Sequence, residues 1–146
     1  MTTTIPTSAE IKLMLYRCGL SQTDAADYLG KDARVVRRWI SGEYEIPSEN
    51  WRSLSDLCDQ MDKAARNKIE EIKEIAARFN EPVKVNIART DAEAQQLGYP
   101  CAGAMLAVVM RVMDWVPEDV RIIPMHRDLD STQQEVMRLR NFIRNS

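Results

Sequence analysis

The sequence predicts a mainly α fold: an N-terminal helix-turn-helix bundle of four to five helices, then a small α+β half of strand-helix-strand order that serves dimerisation. Three observations predict it. Between Thr7 and Gly42, three short amphipathic segments each begin at a capping residue and close on a glycine. From Ser48 an apolar pattern runs at helical spacing with no breaker until Asn80-Glu81-Pro82. Beyond Pro82 the pattern shifts to strict alternation, then to a nearly all-apolar helical run, then to a second short apolar stretch. With 146 residues, 45% of them hydrophobic, the chain has material for one domain or two small ones. The expected division is 1–66 and 67–146.

The first helix, from Thr7 to Cys18, places Ile11, Met14, Leu15 and Cys18 on one stripe. Thr7 and Glu10 are spaced as a capping box, and Gly19 stops the helix. Ser21 caps the second helix, with Asp24 in its first turn, Ala25, Ala26 and Leu29 turned inward, and Gly30 at its end. Asp32 caps the third, Ala33 to Ser41, and Gly42 closes it. Two short helices joined by a three-residue turn containing Gly form the outline of a helix-turn-helix.

Ser48 is expected to cap a fourth helix with Trp51, Leu54, Leu57, Cys58 and Met61 inward. Ala65, Ile69, Ile72, Ala76 and Phe79 continue the stripe, so the helix runs on as a connector. It packs either on the C-terminal half of its own chain or on another chain. Val83, Val85 and Ile87 alternate with Lys84, Asn86 and Ala88 as a short half-buried strand. A weak helix follows over Asp91 to Leu97, then the apolar helix Cys101 to Trp115, interrupted by Arg111 and Asp114. A second strand, Val120 to Ile123, ends at Pro124, and Asp128 to Asn145 reads as a helix with Val136, Leu139, Phe142 and Ile143 on one side.

The overall charge, 20 Lys+Arg against 22 Asp+Glu, at first argues against a nucleic-acid partner. The arrangement of charge in the third helix reverses that argument. At about 100° per residue, with Ala33 at zero, Val35, Val36, Trp39 and Ile40 fall on an arc of roughly 200° to 340°. Arg37, Arg34 and Arg38 fall at roughly 40°, 100° and 140°, directly away from it. With Lys31 they put four cationic residues within eight positions, against the single Asp32. Guanidinium groups can fork onto guanine O6 and N7 in the major groove or clamp phosphates, and a helix N-terminus offers its own dipole and N–H groups to phosphate.

The segment Leu20-Ser-Gln-Thr-Asp-Ala-Ala-Asp-Tyr-Leu-Gly30, Lys-Asp-Ala-Arg-Val-Val-Arg-Arg-Trp-Ile-Ser-Gly42 resembles the XRE, or phage-repressor-type, helix-turn-helix. It shares the Leu-Ser/Thr-Gln start, the Leu-Gly turn and the Arg-Trp…Gly ending without a gap. Ala33-Arg34, Trp39, Ser41-Gly42 and Pro47 further resemble the YdiL-like and anti-CRISPR-associated autorepressors, in which a strand-helix-strand half forms a homodimer. Ile40 stands where those proteins usually carry Glu, and the stretch past Arg127 has no clear counterpart in them. The resemblance implies base-reading roles for Arg34 and Arg38, with Arg37 on a base or a phosphate and Ala33 beside them at the helix start. It implies a backbone-phosphate role for Gln22, with Lys31, Ser21 and Tyr44 as lesser phosphate contacts; Tyr44 reads equally well as a loop packing residue.

An apolar-all-round helix needs cover on every side. The surface of Met105, Leu106, Val109, Val112, Met113 and Trp115 is hard to bury in a half of some eighty residues, so it is the expected homodimer interface. A two-fold dimer presents two recognition helices to one face of a duplex, so the expected partner is a double-stranded DNA operator with an inverted repeat. The function expected is a sequence-specific, autoregulating repressor. The alternatives are an antitoxin-type regulator with a protein partner on its C-terminal half, or a dual regulator that also binds an RNA stem-loop, which would need a loop or distorted stem.

No Gly-rich phosphate loop, metal cluster or nucleophile-base-acid set is visible, so neither an enzyme nor a cofactor is expected. The only histidine, His126, sits in a Pro-Met-His-Arg stretch read as a turn. Cys18, Cys58 and Cys101 are odd in number and far apart, and read as small buried apolar residues of a reducing compartment. The start Met-Thr-Thr-Thr-Ile-Pro lacks a signal-peptide pattern, and the longest uncharged stretch, Leu97 to Met110, is short of a membrane span. A cytoplasmic protein with no membrane partner is expected.

Overall fold

A computed structural model describes residues 4–126. In chain order they form α1 (Ser8–Cys18), α2 (Gln22–Leu29), α3 (Ala33–Ile40), α4 (Ser48–Phe79), β1 (Val83–Ile87), α5 (Asp91–Gln96), α6 (Ala102–Trp115) and β2 (Ile122–His126). The helix expected over Asp128 to Asn145 lies outside the described residues.

The local rules hold closely in the first forty residues. The Thr7 hydroxyl accepts from the Glu10 N–H while Glu10 reaches back to the Thr7 N–H, and Ser21 and Asp24 repeat the exchange at α2. Both helices end on glycines in the left-handed region, Gly19 and Gly30, each at φ 67. Ile11, Leu15 and Cys18 of α1, Ala25 and Ala26 of α2, and Val36 and Trp39 of α3 turn into one core, which α4 closes with Leu54, Leu57, Cys58 and Met61.

Helix α4 departs from expectation at both ends. Pro47, not Ser48, is the N-cap residue, and no side chain caps the helix; burial of the stripe below holds the first turn instead. The helix then runs 32 residues without a break. Ala65, Ile69 and Ile72 are buried, but Phe79, expected on the same stripe, is 61% exposed because the last turn has run past the elements it packs on. The boundary drawn after residue 66 falls inside this helix. The buried cluster continues through it into β1 and α6 without interruption.

β1 and β2 pair in parallel, Val83 opposite Ile122 and Ile87 opposite His126, with α5 and α6 in the crossover. The second strand therefore starts later than Val120 and continues through Pro124, and His126 ends a strand rather than sitting in a turn. Proline is tolerated here because a two-stranded sheet leaves the outer side of each strand without ladder bonds. Val120 still packs against the core from the loop before β2.

Helix α6 is covered mainly from within its own chain. Met105, Val109 and Val112 are buried, together with Ala104, Ala107 and Val108. This corrects the expectation that their surface is hard to bury in one protomer: α6 is enclosed by α4, α5, β1 and the end of α1, which pack on it from different sides. Leu106, Met110, Met113 and Trp115 remain exposed, with the Arg66 guanidinium 6.0 Å from the Trp115 ring centre. Arg111, which interrupts the apolar run, is buried. Its Nε donates to Asp62 Oδ1 at 2.6 Å, its Nη1 to the Ala107 carbonyl at 3.0 Å and its Nη2 reaches Cys58 Sγ at 3.5 Å.

Candidate nucleic-acid interface

Helix α3 stands on its apolar face. Val36 is 1% and Trp39 3% exposed, while Ala33, Val35 and Ile40 pack partly against the same core. This locks the helix rotation, so Arg34, Arg37 and Arg38 all emerge on the solvent side. Lys31 is exposed just before the helix, and its N–H donates to the Ala26 carbonyl at 2.8 Å, so the turn between α2 and α3 is held by backbone hydrogen bonding.

Two of the three arginines have partners inside the chain. Arg34 Nε lies 3.3 Å from Asp32 Oδ1, and the Arg34 N–H donates to the same oxygen at 2.8 Å. Those hydrogen bonds, backbone first, hold the Asp32 carboxyl below its ordinary value. The helix N-terminus is thus capped by the chain's own carboxylate, the role expected of Asp32. Arg38 lies over the Tyr44 ring at 5.4 Å, so Tyr44 orients an arginine as well as facing solvent.

Ser21 and Gln22 open α2 on the exposed side. Tertiary packing brings them together with Lys12 and Tyr16 of α1 and Ile40 of α3, around a small cleft of about 140 Å³. Sequence reasoning missed Lys12 and Tyr16. Their spacing of four on the outer face of α1 was available as a signal, but only the fold shows that this face adjoins the start of α2. The ridge as assembled therefore runs from Lys12 and Gln22 across α3 to Tyr44. Ala33, at the head of α3, is partly buried and presents little more than a methyl group. Among the described residues no group of three His, Cys, Asp or Glu side chains could hold a metal ion.

This geometry is that of a helix-turn-helix: α2 crosses behind, and α3 is the helix offered outward. Residues 11–60 match the helix-turn-helix family model HTH_3. A curated relative is the transcriptional repressor protein KorC of Escherichia coli, 44% identical over 55 residues. That alignment takes in 36% of this chain and 65% of the relative's length. No described helix is long and apolar enough to cross a membrane.

Proposed function

We propose that the protein is a sequence-specific DNA-binding transcriptional repressor, acting in the cytoplasm as a homodimer on an inverted-repeat operator and controlling its own operon. One observation carries the reading: a short helix is locked by Val36 and Trp39 so that three arginines face outward together, on a chain with no overall basic surplus. Arg34, Arg38 and Arg37 read base edges in the major groove, with Ala33 against a thymine methyl; Gln22, Lys31, Ser21 and Tyr44 contact phosphate, joined by Lys12 and Tyr16. The likeness of residues 11–60 to helix-turn-helix proteins and to a transcriptional repressor supports the same reading. The low net charge weakens non-specific attraction and leaves binding to the ridge, presented twice by the dimer. Dimerisation belongs to residues 67–146, where Leu106, Met113 and Trp115 remain accessible on α6 while Met105, Val109 and Val112 support them from below.

Selection of bound duplexes from a random pool tests this. The expected result is an enriched inverted repeat with half-sites about one helical turn apart or slightly more. A pool that stays random after repeated rounds overturns the repressor reading.

A further inference from the structure

The two-stranded sheet has two outer edges, and they are not equivalent. The Val83 N–H donates to the Arg121 carbonyl at 2.9 Å, which sets the phase of the ladder. Val83, Val85 and Ile87 turn their backbone groups to β2, so Lys84 and Asn86 turn theirs to the opposite edge. On β2 the outward residues are Ile122, Pro124 and His126, and Pro124 has no N–H to offer a further strand. The β2 edge is blocked and the β1 edge is open: among the described residues no strand lies beside Lys84 and Asn86.

Along that open edge runs a cleft of about 410 Å³ between β1, the second half of α4 and α6, with Ile72 and Val109 among the residues lining it. Ile75 and Leu97, also on its lining, are 44% and 52% exposed. A strand edge beside exposed apolar side chains is the setting for strand addition.

We propose that the occupant is β1 of a second copy, paired antiparallel across a two-fold axis through Val85, so that two sheets join as β2-β1-β1-β2. The inference rests on the homodimeric reading above. Its register follows from the edge itself. With Val85 opposite Val85, each Lys84 faces an Asn86 and the two pairs exchange four backbone hydrogen bonds, while Val83 faces Ile87 on the apolar side. Shifting the axis to Lys84 sets two ammonium groups face to face and brings Asn86 opposite Pro82, which has no N–H. Shifting it to Asn86 brings Lys84 opposite Ala88, whose N–H is already directed at Met105 Sδ at 3.4 Å. Of the three, the Val85 axis pairs every backbone group of Lys84 and Asn86 and avoids like charges, leaving Pro82 opposite Ala88 at the two ends of the seam.

Sedimentation equilibrium of the full chain without DNA tests the seam. Asn86→Pro, which blocks the β1 edge as Pro124 blocks the other, is expected to weaken self-association by about tenfold or more, two symmetric hydrogen bonds being lost. Asn86→Lys is expected to weaken it most at low salt and Asn86→Glu to tighten it there. Val85→Cys is expected to give a disulfide-linked dimer on oxidation, since directly opposed residues of this pair lie about 4.5 Å apart between Cα atoms. Cys18, Cys58 and Cys101 are buried and do not compete. A monomeric wild type overturns the proposal. So does a dimer indifferent to every change at 86 and uncrosslinked at 85, including one lost instead on Leu106→Glu or on truncation after residue 126. Binding of Asn86→Pro to a single half-site is read separately: loss of the seam with half-site binding intact leaves the repressor reading standing, and a dimer that selects no duplex does the reverse.

Discussion

Arg34 and Arg38 carry the same charge on the same face, yet each is poised differently. Arg34 must leave Asp32 to reach a base, while Arg38 is already extended over Tyr44. Replacing either by Ala is expected to weaken binding to the selected operator by about 1–3 kcal/mol and to relax preference at one base position, measured by fluorescence anisotropy on operator variants. Lys12→Ala should weaken binding uniformly across sequences and lower the salt dependence, the signature of a phosphate contact. Between α1, α4 and α6, Asp62 joins Arg111 and, at 3.5 Å, Arg17. Asp62→Ala leaves a buried guanidinium without its carboxylate and is expected to cost about 3 kcal/mol in urea unfolding. The double change Asp62→Leu with Arg111→Met should recover most of that, because no charge is then stranded.

Elements are held in place by a few backbone approaches that no side chain replaces. The end of α1 meets the start of α6 at Gly19 and Gly103, where a Cβ added to either would run into the backbone of the other. Gly19 also sits at φ 67, so Gly19→Ala combines a clash with a left-handed backbone. Gly19→Ala and Gly103→Ala are each expected to cost about 2 kcal/mol or more, with Gly30→Ala milder because nothing lies within 4 Å of its Cβ position. Thermal unfolding ranks the three. At the head of α3, Asp32 gives its cap as a carboxylate held below its ordinary value. That stabilisation is present above the ordinary carboxylate range and is lost as pH falls through the lowered value.

The molecule as a whole has one core that passes through α4, from Ile11 under the arginine ridge to Val112 near the sheet. Unfolding should therefore be a single transition, with helical circular dichroism and the fluorescence of Trp39, Trp51 and Trp115 changing together. Separate transitions would mean that residues 1–66 and 67–146 fold independently. Within this core the Cys18 thiol is pushed up from 9.0 to about 12, first by burial and then by the neighbouring Cys58. Because the unfolded thiol ionises first, stability is complete below pH 9 and declines as pH rises towards 12. Cys18→Ala should flatten that decline in urea midpoints measured from pH 8 to 11.

How far the sequence reaches depends on the range of the force involved. Caps, glycine stops and apolar spacing act within one turn of helix, so Thr7, Ser21, Asp32 and the inward positions Val36 and Trp39 were legible directly, and with them the outward set Arg34, Arg37 and Arg38. Strand-helix-strand order was legible for the same reason, although the bounds of β2 were not, since Pro124 is excluded only from a strand bonded on both sides. What lies beside what is set by packing between residues far apart in sequence. Tertiary structure alone placed Lys12 and Tyr16 next to Gln22, paired Arg111 with Asp62, and turned Met105, Val109 and Val112 inward from an expected dimer face. It also decided which strand edge stays open, because the phase of the β1–β2 ladder exists only once the two strands have met.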